Sequence, residues 1–456
     1  MPLFAWITVR CPGCVVSAAL GIALLVGTPA WSQLAEPVRV ADPAAGLKLE
    51  VSSELSAEDG MIVDSATHGL SLESLESMAL LGNPSIQRAA ALVRAARGAA
   101  VQAGLQPNPL VGIDFQQLGS DGRAEQYGVG FAQEIVQPRK LKLDRSIALH
   151  EANRRTQELI ATRYRVLTDV RLAYVRALRA ERPLKLTREL VEISEKGLAV
   201  ASQLLRAGEI SRGEVLQAEI EVETANILNQ NALNERLAVW RALGAVVGQG
   251  PMTPQAISGD LEEAPQGLIF GESLSQLQSQ SPEIASVLAK IDRARCRLQR
   301  ELIEVQPNVT VEGLLNWRDN GIDGDADAGL VVALPVPIWN RNQGAICEAR
   351  AELAAAQREL AQVELSLSQR LAPVFERYSN AAAQVSRYRN RILPRAAQTL
   401  ELTRQSFEQG EVSFINLLAV QRTFANNQLA YLDALESVRL AEIEIAGLLL
   451  SGSLED

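Results

Sequence analysis

The sequence predicts a mainly α-helical fold that consists of two repeats along the chain. Each repeat combines a long helical hairpin with a short pair of strands. Three observations predict this class. The 456 residues are 47% hydrophobic but only 4% aromatic, a composition that favours long, closely packed helices. Two stretches, each about two hundred residues long, repeat the same order of motifs. Each stretch also contains two short segments of alternating apolar and polar residues, which is typical of strands.

The first 32 residues have the pattern of a secretory signal peptide. Arg10 precedes an apolar run over 15–27, and small residues stand three and one positions before the Ser32–Gln33 bond. The run is short for a membrane span, so we expect cleavage and export, with an uncleaved anchor as the alternative. Residues 33–69 are then an N-terminal extension.

The charge balance excludes one class of partner. The formal net charge is −10 and the pI is about 5.1, so we expect no nucleic-acid partner. Beyond residue 32 there is no run of eighteen apolar residues, which excludes a bundle of apolar membrane-spanning helices. If the exported chain enters a membrane, a barrel of strands is the remaining route.

The two copies are aligned by landmarks that keep the same order and nearly the same spacing. Three pairs of landmarks lie 198, 200 and 202 residues apart: Pro84 with Pro282, Pro107 with Pro307, and Gly208 with Gly410. Chance similarity between alanine-rich helices does not explain this matched order. We therefore expect a duplication with four parts: a first repeat over 70–250, a linker over 251–272, a second repeat over 273–450 and a tail over 451–456.

Each repeat begins with a helix that ends before a Gln-Pro-Asn motif, because proline disfavours a helical conformation at the residue before it. Two strands follow, over 107–135 in the first repeat and 307–336 in the second. In the first pair, alternation places apolar residues on one side of each strand: Val111, Ile113 and Phe115, then Tyr127, Val129 and Phe131. A two-stranded hairpin is marginal alone, so both hairpins need further strands with which to pair.

An unusually long helix follows each strand pair. The runs from about Lys140 to Ala207 and from about Asn342 to Gln409 contain no strong break, and each would span roughly 100 Å at the helical rise. Pro183, Pro373 and Pro394 are expected to kink these helices rather than end them. A heptad seam, typical of coiled coils, is predicted in the second run at Leu371, Val374, Tyr378, Ala381, Val385, Tyr388 and Ile392.

A tight turn between helices ends the first long run. Gly208 is expected to adopt the left-handed conformation that closes a helix. Ser211 then caps the next helix, and Glu214 completes a Ser-x-x-Glu capping box. Ile210 and Val215 stand at the positions of a hydrophobic staple.

The second turn repeats this outline with one change. Gly410 ends the helix, Ser413 caps the next one, and Val412 with Leu417 form the staple. Asn416 replaces the glutamate of the capping box. Each copy therefore ends its long hairpin at a similar distal tip.

Glu214 has two interpretations that are compatible with each other. As the third residue of a capping box, its position is explained by helix capping alone. If several chains bring their tips together around an axis, Glu214, Gln217 and Asn416 would ring a polar constriction. These three residues form the candidate aperture.

No catalytic or metal-binding constellation is found in the sequence. His68 and His150 lack a second ligand at helical spacing and are interpreted as solvated. The carboxylates over 323–327 lack the later glutamate of a calcium loop, so they are assigned to a hairpin loop. No phosphate-binding loop, nucleophile elbow or zinc-protease motif is present. We therefore expect no enzymatic activity, no bound metal and no cofactor.

The cysteines leave one alternative open. Cys11 and Cys14 lie in the segment that would be removed with the signal peptide. Cys296 and Cys347 remain in the mature chain. A disulfide between them is possible in an oxidising compartment, whereas isolated cysteines on helices are more often free.

These features together resemble the TolC-type outer-membrane efflux channel family over about 70–450. The resemblance is carried by the stretch AGLQPNP at 103–109, by the tip glycines, and by the stretch LPVPIWNRNQGAICEARAEL at 334–353. The last stretch is similar to the entry into the second long helix in the cobalt–zinc–cadmium efflux branch, with Trp339 in place of that branch's usual aromatic residue.

The resemblance implies a homotrimer in the outer membrane of a Gram-negative-type envelope, mainly α-helical with a membrane β-barrel. Each chain would give four strands to one twelve-stranded barrel in outer-membrane lipid, and the coiled-coil hairpins would form a trimeric α-barrel tunnel in the periplasm. An inner-membrane RND pump would supply the energy through a periplasmic membrane-fusion adaptor. The adaptor is expected to dock on the tip residues: Gly208, Glu209, Ile210, Ser211, Gly410, Glu411, Val412 and Ser413.

The expected function is passive conduction of substrates from the periplasm to the exterior. Heavy-metal cations are the preferred substrate class. Export of organic compounds or drugs is the alternative within the same class. A periplasmic coiled-coil adaptor or scaffold is the alternative from another class. That reading predicts a single helical hairpin between β domains, whereas this sequence carries two repeats and two strand pairs.

Overall fold

Helices and strands follow the predicted order over the part of the chain that the structure describes. The computed structural model describes residues 70–118, 124–317 and 326–454. The expected signal peptide over 1–32, the extension over 33–69 with His68, and most of the acidic loop over 323–327 lie outside the described residues.

The two repeats contain the same succession of elements. The first repeat consists of α1 (Leu72–Gly82), α2 (Pro84–Gln102), β1 (Leu110–Leu118), β2 (Ala124–Ile135), α3 (Pro138–Ala207) and α4 (Arg212–Val247). The second consists of α5 (Phe270–Gln280), α6 (Pro282–Glu304), β3 (Val309–Trp317), β4 (Asp327–Ala333), α7 (Gln343–Arg387), a π-helical turn (Tyr388–Ile392), α8 (Leu393–Glu408) and α9 (Phe414–Ala446).

Each repeat opens with a short helix, α1 or α5, that the sequence pattern did not predict. The residue before each proline is extended and caps the helix that follows. Asn83 Oδ1 accepts a hydrogen bond from the N–H of Ser85 at 2.9 Å, and Ser281 Oγ accepts one from Glu283 at 3.2 Å. Because proline disfavours a helical conformation at the preceding residue, the chain forms two helices here instead of one.

Helix α3 organises the fold. It is 70 residues long, about 105 Å at 1.5 Å per residue, and it continues through Pro183. Helices α2, α4, α6 and α9 all pack against it. The strands adjoin its first residue and the first turn follows its last, so the sheet and the first turn lie at opposite ends of α3. No helix in the described ranges has a segment long and apolar enough to cross a membrane.

The second long helix runs without a break from Gln343 to Glu408, as predicted, and it contains a π-helical turn just before Pro394. In the π-helical turn the N–H of Leu393 donates to the carbonyl of Tyr388. Pro394 has no N–H to donate and its ring collides with the preceding turn, and an extra residue in the turn relieves this conflict. The predicted seam is buried from Leu371 to Val385. Tyr388 is partly buried against the same core, whereas Ile392, the last residue of the π-helical turn, is exposed.

The four strands form one antiparallel sheet in chain order. Strand β2 pairs with β3, so the hairpin of one repeat receives its further strand from the other repeat. In the middle of the sheet, Val129 stands opposite Ile113 on one side and Leu315 on the other. Strands β1 and β4 are the two edges.

The main hydrophobic cores lie around the middle of the long helices. In one core, Trp240 and Leu243 of α4 pack against Val166 and Val170 of α3. The other joins α7 to α9 along the predicted seam. The segment between the repeats is tied to this second core, since the N–H of Gln266 donates to the carboxylate of Glu442 at 2.7 Å. These contacts set the position of both hairpins.

Candidate functional site

The first distal turn closes α3 with two backbone hydrogen bonds. Gly208 has a φ of 78°, its N–H donates to the carbonyl of Leu205 at 3.0 Å, and the N–H of Glu209 donates to that of Leu204 at 2.9 Å. This pattern satisfies carbonyls that a helix end otherwise leaves unpaired. Glycine is favoured because a left-handed backbone strains residues that carry a β-carbon.

The capping box predicted at the start of α4 is confirmed. Ser211 Oγ accepts the N–H of Glu214 at 3.4 Å, and the N–H of Ser211 donates to Glu214 Oε2 at 2.7 Å. The carboxylate is half-buried at a helix N-terminus, where the backbone dipoles favour negative charge. Ile210 and Val215 belong to the same apolar cluster, as the predicted staple requires.

The second turn has the same backbone geometry but a weaker cap. Gly410 has a φ of 74°. Its N–H donates to the carbonyl of Phe407, and the N–H of Glu411 donates to the carbonyl of Ser406. Ser413 Oγ accepts the N–H of Asn416 at 3.4 Å. Among the described residues no return bond from the Asn416 side chain to Ser413 is found, so the second turn has one side-chain cap bond where the first has two.

The two turns of one chain pack against each other. Phe414, the first residue of α9, lies on Gly197 of α3, where an added β-carbon would stand 2.5 Å from the phenyl Cζ. The cluster they share joins α3, α4 and α9 through Ala201, Val215, Ala218, Phe414 and Leu418. The predicted tip residues over 208–211 and 410–413 therefore share one end of the molecule.

A partly buried ion pair, which the sequence analysis did not identify, joins the hairpins near this end. Glu221 is 8% exposed, and Arg422 of α9 donates from Nε to Glu221 Oε1 at 3.0 Å. The one available signal was the position of Glu221 on the buried face of α4, beside Ala218 and Ala225. Its partner depends on the register of α4 against α9, which a single sequence does not show.

The candidate aperture residues lie in the first two turns of α4 and α9. Glu214 is half-buried and is held by its capping bonds, whereas Gln217 and Asn416 are exposed. The structure brings the two helices together at the tip cluster. The three side chains are therefore carried on a common, well-packed support.

The remaining tip residues combine charge with apolar surface. Glu209 and Glu411 are exposed, while Ile210 and Val412 are half-buried. The end of the molecule thus presents two carboxylates around a small apolar centre.

Neither a metal centre nor a disulfide is found in the described residues. No group of three or more His, Cys, Asp and Glu side chains in these ranges is arranged to hold a metal ion, and His150 is half-buried on α3. Cys296 and Cys347 are free. Burial, with a contribution from nearby Asp292, raises the pKa of the Cys296 thiol, which disfavours the reactive thiolate form.

The sheet at the other end of the molecule has one apolar and one polar face. Its register places these side chains on the apolar face: Val111, Ile113, Phe115, Tyr127, Val129, Phe131, Val311, Leu315, Trp317, Leu330 and Val332. Most of them are exposed. Gly313 makes room for the ring of Phe131, since a β-carbon there would lie 2.6 Å from Cε1. An exposed apolar face of this breadth marks contact with another apolar phase.

The opposite face carries all the charged groups among the described side chains of the sheet, together with apolar residues that include Leu110, Leu314 and Val331. It carries glycines at 112, 128 and 130 together with Asp114, Glu134, Glu312 and Asp327. The described positions on this face include no lysine or arginine. The described charged side chains of the sheet are therefore all anionic and all on one face.

Comparison with solved structures shows the same architecture. The chain matches the crystal structure of CusC with a TM-score of 0.70 and 17% identity, covering 84% of this chain and 92% of that one. It matches VceC from Vibrio cholerae with a TM-score of 0.68 and 17% identity, covering 84% and 96%. These likenesses establish the fold.

Comparison of sequences shows the family. The chain is 27% identical over 370 residues to the cobalt-zinc-cadmium resistance protein CzcC from Cupriavidus metallidurans, which covers 80% of this chain and 86% of that relative. The protein family described as "outer membrane efflux protein" matches this chain in two stretches, over residues 75–249 and 273–449. The two matched stretches contain both helical hairpins and all four strands, and the chain belongs to the outer membrane efflux protein family.

Proposed function

We propose that this outer-membrane efflux protein is the passive exit channel of a tripartite RND-type system, and that it conducts heavy-metal cations from the periplasm to the exterior. The observation that carries the proposal is the arrangement of the ends. A sheet with an exposed apolar face is separated from a pair of packed tips by the length of α3, about 100 Å. A chain of this form can join a membrane at one end to a partner at the other.

The proposed assembly is a homotrimer. Strands β1 and β4 have unpaired edges within one chain, and unpaired edges are unstable when exposed. Three copies would close the four-stranded sheets into one twelve-stranded barrel, with the apolar face toward outer-membrane lipid and the acidic face inward. Closure would pair the backbone groups of both edge strands. It would also place the apolar face in lipid and the acidic face in the water of the channel.

The proposed substrate class rests on relatives and on charge. CzcC is named for cobalt, zinc and cadmium resistance, and it matches this chain over 86% of its own length. The inward face would carry four carboxylates per chain, and its described positions include no lysine or arginine. Such a face would raise the local concentration of metal cations. Passage then needs no tight ligand set, because a channel must release what it admits.

The proposed partner at the tips is a periplasmic membrane-fusion adaptor that links the channel to an inner-membrane RND pump. The turns around Gly208 and Gly410 offer rigid backbone, exposed carboxylates and a small apolar centre. Energy would be supplied by the pump, and the tips would open and close the aperture.

Loss of this protein is expected to sensitise cells to metals. Deleting its gene should lower the tolerated concentration of cobalt, zinc or cadmium salts several-fold, and a plasmid copy should restore it. Growth inhibition by organic toxicants serves as the matched measurement. Sensitivity to organic compounds alone would assign the channel to the other substrate class.

Neutralising Glu214 is expected to change conductance more than stability. Glutamine can still accept the N–H of Ser211, so Glu214→Gln should alter the free energy of unfolding by less than about 0.5 kcal/mol. Removal of up to three charges from a constriction should lower the cation preference of single channels in planar bilayers. Glu192→Gln, at an exposed site on α3, is the control. Unchanged cation preference would reduce Glu214 to a helix cap.

A further inference from the structure

The apolar side of β4 continues beyond the end of the strand. The strand ends at Ala333, but the alternation of apolar side chains does not. Four alternate residues are 53% to 72% exposed: Leu330, Val332, Leu334 and Val336. Pro335, between the last two, has no N–H with which to extend the hydrogen-bonded ladder. The exposed apolar surface therefore extends past the sheet, toward the start of the helices.

A turn ends this extended segment and presents a tryptophan. The N–H of Ile338 donates to the carbonyl of Val336 at 2.9 Å, which turns the chain at Pro337. Trp339 follows and is 85% exposed, more than any other large apolar side chain in the described ranges. An indole combines a broad apolar ring with one N–H donor, so it is best placed at a boundary between an apolar phase and water.

Two arginines stand at the same junction between sheet and helices. Arg139 is the second residue of α3, and Arg341 lies two residues before the first residue of α7. Both are exposed, and no ion pair in the described part of the chain includes either of them. Lys140, by contrast, is buried against Glu304 at 3.2 Å. The two guanidinium groups are therefore available to an anion from outside the chain.

A cavity shows that the tryptophan segment and the start of α3 are neighbours. The cavity has a volume of about 440 Å³, and Lys140 and Trp339 both line it. Part of its wall is apolar, with contributions from Val305, Val336 and Ile338. An apolar groove beside exposed arginines fits an amphiphile that has an anionic head group.

We propose that this junction, residues 334–341 together with Arg139, binds anionic phospholipid in the membrane leaflet that faces the periplasm. The inference rests on the proposed orientation of the sheet in the membrane. Leu334 and Val336 contact acyl chains, and the indole of Trp339 lies at the level of the head groups. The two arginines contact the lipid phosphate.

The order of residues along the chain matches the profile of a membrane boundary. Apolar side chains come first, the tryptophan follows, and Arg341 comes two residues later. Hydrocarbon, interface and anionic head groups follow one another in the same order across a leaflet. The leaflet is the periplasmic one because α3 and α7 leave the sheet at this end and run toward the tips. Contact with lipid would also remove the exposed apolar segment from water.

Tryptophan fluorescence tests the contact with lipid. The full-length particle is reconstituted in phosphatidylcholine vesicles whose acyl chains carry bromine, a quencher. Trp317→Phe leaves Trp339 as the exposed reporter, and Trp339→Phe leaves Trp317 on the apolar face of β3. Trp240 is fully buried and gives both variants the same background. Both reporters should be quenched, and Trp339 should be quenched more strongly by bromine near the head groups than by bromine near the chain ends.

The two reporters separate this inference from the proposed function. Quenching of Trp317 without quenching of Trp339 would overturn the lipid contact at the junction and leave the orientation of the sheet intact. Absence of quenching at both positions would overturn both. Stronger quenching of Trp339 by bromine near the chain ends would contradict its placement at the head groups.

The role of the arginines is tested with the same reporter. At equal mole fraction, brominated phosphatidylglycerol should quench Trp339 more than brominated phosphatidylcholine does. The double variant Arg139→Gln and Arg341→Gln should lower this preference for the anionic lipid several-fold. Arg358→Gln is the control, at an exposed site on α7 about 22 Å from the start of that helix, and should leave the preference unchanged. An unchanged preference in the double variant would contradict the proposed phosphate contacts.

Discussion

Valine at Gly208 or Gly410 is expected to abolish export while leaving three-chain particles in the outer membrane. Both glycines have φ values above 70°, and a β-branched residue there costs of order 1–3 kcal/mol of local strain. That strain acts on the turn and its docking surface, since nothing lies within 4 Å of an added β-carbon at either site. The sheet and the mid-helix cores stay intact.

The measurement is metal tolerance in a complemented deletion strain, together with the native mass of the extracted particle. Asparagine tolerates the left-handed conformation, so Gly208→Asn is the matched variant and should retain most export. Loss of the particle itself in the valine variants would show that the turns are needed for assembly rather than for docking.

Arginine at Ile113 is expected to prevent assembly in the outer membrane. Ile113 lies in the middle of β1 on the apolar face, and it is 72% exposed within one chain. A charged side chain on the lipid face of a membrane strand costs about 2–4 kcal/mol near the middle of the bilayer. In a trimer this penalty is repeated in each copy.

The neighbouring residue provides the control. Gly112 lies on the polar face, where nothing stands within 4 Å of an added β-carbon, so Gly112→Arg should assemble normally. The amount of each variant in separated outer membranes is the readout. Equal assembly of both variants would contradict the assignment of the apolar face to lipid.

Local signals in the sequence were sufficient for the repeated elements and for the tips. Proline before a helix, glycine after one, and a Ser-x-x-Glu box act over a few residues, so the turn at Gly208 and the cap at Ser211 could be predicted residue by residue. Alternation likewise predicted the two strand pairs. The register that puts both apolar faces on one side of a single sheet became visible only in the structure.

Features that depend on distant packing were not predictable. The π-helical turn reflects how Pro394 is accommodated within a packed helix, and Ile392 of the predicted seam is exposed there. The fit of Phe414 on Gly197 and the pair between Glu221 and Arg422 depend on how one hairpin lies on the other. The candidate aperture, at Glu214, Gln217 and Asn416, and the docking role of the tips remain predictions.

The most direct test of the account is the mass of the native particle extracted from separated outer membranes. Light scattering or native mass spectrometry, corrected for bound detergent, should give three copies of the mature chain in the outer-membrane fraction. A soluble monomer or dimer in the periplasmic fraction would contradict the channel architecture, because an isolated chain leaves the sheet edges unpaired and its apolar face in water.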